Sequence, residues 1–226
     1  MKINHVVAHP PFREGTGTVA YYNARYQREL GLDALVYAAQ HGSASHGDEP
    51  VDFCRFMTSY LSLGNAFLTP QIVGMRRADM IHLHYPFIFG SDLTILKSAL
   101  DRTPMVLTYH NDLIGSGIRR PSFWVYHRTF APWILNQAKK IAVTSLDHAA
   151  TTVFANTIFA RRSADIVEVG NGVEVDVFRP DVDCAFVRSK YDLGADDFIL
   201  LFISFLDRSH ARKGLGLLLD ALAEIK

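Results

Sequence analysis

The sequence predicts an α/β protein: a doubly wound parallel sheet in a Rossmann-like domain, followed by an incomplete second α/β domain. Three observations carry this. Apolar runs of strand length alternate with helical stretches from the first residue onward. Those runs are too apolar to leave either face in water, as expected of parallel strands covered by helices on both sides. The last thirty residues, DFILLFISFLDRSHARKGLGLLLDALAEIK, then read as a buried strand, a basic loop and an amphipathic helix.

Taken in order, residues 3–8 form the first strand, 18–30 a helix and 34–39 the second strand. A short third strand is expected at 53–57 and a helix at 63–77. Strands follow at 80–84, 105–109, 140–144 and 166–169, with helices at 92–100, 122–138 and 146–155 between them. In the helix at 122–138, Phe123, Tyr126, Phe130 and Trp133 recur at spacings that make a core-facing stripe. Residues 41–49 (HGSASHGDE) are small and polar and read as a surface loop. Residues 170–183 (GNGVEVDVFRPDVD) read as a linker, so the first domain spans 1–180 and the start of the second 181–226. There the run at 198–205 is of strand length, and Leu215, Leu218, Leu219, Leu222 and Ile225 share one helical face.

A chain of 226 residues has room for about one large domain, burying roughly 70–75% of its unfolded surface. Its 23 Lys and Arg balance 23 Asp and Glu, so no global field draws it to nucleic acid. Phosphate recognition must therefore be local. Cys54 and Cys184 match no metal or redox spacing and read as free thiols. The first ten residues lack the form of a secretory signal, and no run approaches the ~20 apolar residues that span a bilayer. A cytoplasmic location is expected, with peripheral contact at the inner membrane face left open through Arg119, Arg120 and Trp124.

In an open parallel sheet, ligands bind beyond the carboxyl ends of the strands, so the residues there are the candidates. Gly15, Gly17 and Thr18 follow the first strand and bring backbone amides at a helix N-terminus toward an acceptor or phosphate; a plain helix-capping turn is the alternative. They nominally fit a dinucleotide fingerprint. However, six residues separate strand from glycines, and the second strand ends without the acid that would bind ribose, which disfavours a nicotinamide-dependent oxidoreductase. His110 and Asp112 follow the strand at 105–109 and put an imidazole and a carboxylate on the same rim. His82 and His84 share a strand face; His84 is expected to line the cleft and His82 to be structural. With no third or fourth ligand in the spacing, no metal is expected. Arg208 and Lys213, ahead of a helix start, form a seat for a diphosphate.

Six strings in order resemble the retaining glycosyltransferases of family 4, whose GT-B fold faces two Rossmann-like domains. HPPFREGTGTVAYY is similar to the family's proline and glycine-rich opening, ADMIHLHYPF to its strand ending in His, and VLTYHNDLIG to its Thr-Tyr-His loop. AVTSLDHA, VEVGNGVEVDVFRP and LFISFLDRSHARKGLGLLLDALA resemble its later strand end, its interdomain linker and the start of its donor domain. The resemblance implies sugar transfer from a nucleotide-sugar co-substrate to a glycan or lipid-linked acceptor, with retention and without cofactor or obligatory metal. It places His110 beside the transferring sugar as the catalytic residue. Gly15, Gly17, Thr18, His84 and Asp112 fall on the acceptor side, with Arg208 and Lys213 on the donor diphosphate. The family's paired donor-binding glutamates are not in the sequence, so this chain alone is expected to be inactive. A non-catalytic binding module, self-associating through its C-terminal segment, is the competing reading.

Overall fold

A computed structural model describes residues 1–40, 52–63, 66–113, 120–204, 206 and 213–225, with backbone only at 61–63 and 120. Two compact units divide the chain, Met1–Gly172 and Val173–Lys226.

The first unit is a seven-stranded sheet. Its strands are β1 (Lys2–Val7), β2 (Asp33–Gln40), β3 (Cys54–Thr58), β6 (Met80–Tyr85), β7 (Met105–Tyr109), β8 (Ile141–Val143) and β9 (Ile166–Glu168), in the order β3-β2-β1-β6-β7-β8-β9. Every pairing in it is parallel. The chain lays strands outward from β1 on one side, then returns to β1's other edge and lays the rest. This reversal makes the β1/β6 boundary a topological switch point, where neighbouring strand-to-helix loops part and leave a crevice. The interior is aliphatic and aromatic: Ile3, Ile81, Leu83, Leu107 and Ile141 are all buried.

Helices α1 (Gly15–Glu29), α2 (Gly90–Asp101), α3 (Arg120–Gln137) and α4 (Leu146–Thr151) occupy the crossovers. The strands and most helices lie within a few residues of their expected places. Three regions do not. The helix expected at 63–77 is instead a hairpin of β4 (Leu61–Leu63) and β5 (Ala66–Leu68), followed by a short 3-10 turn at Pro70–Gly74. Pro70 has no amide to donate and biases Thr69 toward extended backbone, which disfavours a helix running through this point. The helix expected at 146–155 stops at Thr151, and a π-helical turn follows at Ala155–Phe159.

Within α3 the core-facing stripe is shifted. Tyr126, His127, Ala131, Ile134 and Leu135 are buried, whereas Phe130 and Trp133 stand 49% and 45% exposed. The chain tolerates a histidine in that stripe because His127 Nδ1 meets the Tyr85 hydroxyl at 3.1 Å.

In the second unit the described residues form α5 (Ala185–Lys190) and α6 (Leu215–Glu224) and no strand. Residues 198–204 thus depart from the expected strand: Phe198, Leu201 and Ile203 are exposed, and without a paired neighbour an extended segment has no ladder to satisfy its backbone. The residues at 41–49, Phe205 and Arg208 lie outside the described residues. No helix among the described residues is long and apolar enough to cross a membrane.

Candidate functional site

The carboxyl ends of β1, β6 and β7 lie side by side, because Val6 pairs with Leu83 and Tyr85 with Tyr109. Beyond β1 the chain runs through residues 8–14 and enters α1 at Gly15. Glu14 caps this helix with no side-chain hydrogen bond, so the first-turn amides are not used by a cap. The two glycines do different work. A methyl group on Gly17 would sit 2.5 Å or less from the carbonyl oxygens of His9 and Pro10, whereas one on Gly15 would meet nothing within 4 Å. Gly17 is therefore required by close backbone approach, and Gly15 presents an open surface. Thr18 is a brace: its Oγ1 accepts from the Phe12 amide at 3.0 Å and donates to the Glu14 carbonyl at 3.2 Å.

On one face of the same strand ends lies a row of imidazoles. Alternation along β1, β6 and β7 puts His5, His82, His84 and Thr108 on that face, with His5 paired to His82 and His84 to Thr108. Gln27, near the end of α1, closes the row from above. Gln27 Oε1 lies 2.8 Å from His5 Nε2, His5 Nδ1 3.1 Å from His84 Nε2, and His84 Nδ1 3.0 Å from His110 Nε2. His82 Nε2 contacts Thr108 Oγ1 at 2.7 Å.

Burial governs the charge of these rings. It lowers His110 to about 4, and His5 to about 4 against the opposing hydrogen bond from Gln27. Burial and the neighbouring imidazoles hold His82 and His84 well below the ordinary histidine range. All four are neutral at pH 7. Each then offers one donor and one acceptor, which a chain of end-to-end contacts can use.

His84 sits 1% exposed with both ring nitrogens engaged, which places it behind His110. Asp112 is also held from within. The Tyr109 hydroxyl donates to its Oδ1, the Val153 amide to its Oδ2 at 3.2 Å, and His127 Nε2 lies 3.5 Å from Oδ1. Burial alone would raise the carboxyl, but the contacts from His127, Tyr109 and Val153 hold it below its usual value. Lys213 is exposed in the second unit, immediately before Gly214 and α6.

The structure thus brings Gly15, Gly17 and Thr18 to one strand end and joins His84 to His110 two strands away. His5 and Gln27 are members that reading along the chain overlooked. His5 looks like any residue of an apolar run until the β1/β6 register sets it beside His82. It also supplies the third imidazole missing from the spacing: ring nitrogens of His5, His82 and His84 lie within 4.8 Å of one another, a set able to hold a divalent cation. Among the described residues no fourth His, Cys, Asp or Glu joins them.

The sequence model of Glycosyltransferase Family 4 matches residues 13–177. No curated protein matches the chain in sequence. Among solved structures, HepE of Anabaena in complex with UDP and glucose is similar at a TM-score of 0.66 and 20% identity, over 99% of this chain and 57% of that one. The same protein with UDP-glucose gives 0.64 and 19% over the same shares. A glycosyltransferase from Rickettsia africae gives 0.60 and 18%, over 100% of this chain and 57% of its own. At these identities the likeness is one of fold, and the chain spans about 57% of the length of those proteins.

Proposed function

This chain belongs to glycosyltransferase family 4 and has the Rossmann-like α/β fold of GT-B glycosyltransferases, and on that premise we propose that Met1–Gly172 is the acceptor-side lobe of a retaining sugar transferase. The observation that carries the reading is the β1/β6 switch point, with the open α1 turn at Gly15 following β1 and His110 following β7 on the carboxyl side of the same sheet. A neutral imidazole there takes or gives a hydrogen bond to a sugar hydroxyl, and first-turn amides suit a phosphate or polar acceptor. His110 is the catalytic residue in this proposal. Gly15, Gly17 and Thr18 shape the acceptor side, with His84 and Asp112 lending support from behind the rim.

Arg208 and Lys213 are proposed to neutralise the diphosphate of a nucleotide-sugar donor, charge stabilisation that counts most as the leaving group departs. UDP and UDP-glucose in HepE support a nucleotide sugar as the partner class, and a glycan or lipid-linked acceptor completes the pair. The transfer is proposed to need no cofactor or obligatory metal and to take place in the cytoplasm. The 226-residue chain by itself turns over no nucleotide sugar.

Titration of the isotope-labelled chain with UDP-glucose, GDP-mannose and NAD tests the reading. Saturable shifts at the Gly17 amide and the His110 ring with a nucleotide sugar are expected, and none with NAD. Gly15→Ala, whose methyl enters open space, weakens the response at unchanged stability. Shifts with NAD alone, or with none of the three, sink the proposal.

A further inference from the structure

We infer that Gln27 and His5 are positioning residues which, acting through His84, decide which nitrogen of His110 carries the proton, so that His110 presents a bare Nδ1 acceptor to a ligand hydroxyl. The hydroxyl as ligand rests on the transferase reading; the tautomer does not.

The argument runs along the row from its far end. Gln27 turns its carbonyl oxygen, which only accepts, toward His5 at 2.8 Å. The proton in that contact must therefore belong to His5 Nε2. A neutral imidazole has one N–H, so His5 Nδ1 is a lone pair, and the 3.1 Å contact to His84 is filled by the proton on His84 Nε2. By the same step His84 Nδ1 is bare and accepts, at 3.0 Å, the proton on His110 Nε2. What remains on His110 is Nδ1 with its lone pair. Three rings thus share one tautomer, dictated by an amide three contacts away.

Reversing the row would require turning the Gln27 amide and exchanging the tautomers of all three rings together. His5 and His84, at 0% and 1% exposure, have no water to stand in for a lost partner. Because the row ends on an amide that takes no proton, it orients His110 and does not drain protons from it. A cation among His5, His82 and His84 would need the proton between His5 and His84 expelled, which makes metal binding a direct competitor of this arrangement.

Two-bond proton–nitrogen spectra of the full chain labelled with [15N]histidine read each tautomer directly at pH 7.5. His5, His84 and His110 are expected as Nε2–H forms, at His110 by roughly tenfold or more, since reversal breaks more than one hydrogen bond. Gln27→Met, which cannot accept strongly, collapses that ratio toward an even mixture at His110. Gln27→Glu restores it, since a carboxylate also only accepts. Any of three results overturns the inference: an Nδ1–H form at His110 in the wild type, an unchanged ratio in Gln27→Met, or stoichiometric Zn2+ uptake that removes the His5–His84 proton. The wild-type spectrum decides alone where Gln27→Met does not fold. The spectra are taken without ligand, so the titration above can fail while the tautomers hold, and the reverse.

Discussion

At the scale of single residues, the first unit keeps the four imidazoles of its row in the neutral state. His5 and His110 lie near 4, His82 and His84 also lie well below the ordinary 6.5, and burial is the leading cause for all four. In the unfolded chain these rings titrate near 6.5, so below that pH the unfolded state binds more protons than the folded one. Stability is therefore present in full above pH 6.5 and drains as pH falls toward 4, at about 1.4 kcal/mol per pH unit for each ring. For His5 and His110 the loss reaches roughly 3 kcal/mol each by pH 4, a large share of the ~5–15 kcal/mol that holds a domain together. Urea midpoints measured from pH 7.5 to 4.5 should fall steeply below 6.5 in the wild type and less steeply in His110→Gln. A flat profile through that window would mean that the rings are not buried as described.

At the scale of elements, α3 shows how much the sequence discloses and where it stops. Periodicity located the helix, because an apolar stripe every three to four residues is written in the chain. It did not say which of two neighbouring stripes faces inward, since Phe130 and Trp133 are as apolar as Ile134 and Leu135. Packing decided: Ile134 and Leu135 are fully buried while Trp133 is 45% exposed. Leu135→Ala should cost ~2–5 kcal/mol and Trp133→Ala well under half of that, measured as differences in chemical unfolding. A result in the opposite order would restore the aromatic stripe as the core face. The strands were legible for the same reason as the helix, their apolar runs. The site was legible only in part. Gly15, Gly17 and His110 stand at strand ends visible in one dimension, but His5 and Gln27 join them through strand register and helix packing, which no local pattern encodes. The pairing of β4 with β5 escapes a reading of the sequence because apolar residues flanking it imitate a helix period.

At the scale of the molecule, the two units differ in how they are held. Met1–Gly172 has a continuous buried core around its sheet, whereas in Val173–Lys226 Phe178, Phe186 and Phe198 are 68%, 74% and 89% exposed. Segments with little buried apolar surface open at low free energy. Brief chymotrypsin treatment should therefore cut first within residues 173–204, and a first cut inside β1, β6 or β7 would contradict this division. The order of the sheet has one more consequence. β1 lies inside the sheet, third of its seven strands, and its His5 waits 79 residues for His84, which in turn waits 26 for His110. Such distant partners close late, because loop entropy is spent before the contact rewards it. The shared protons of the imidazole row therefore act as a clock for this lobe, silent through collapse and sounding only when the central three strands have locked into register.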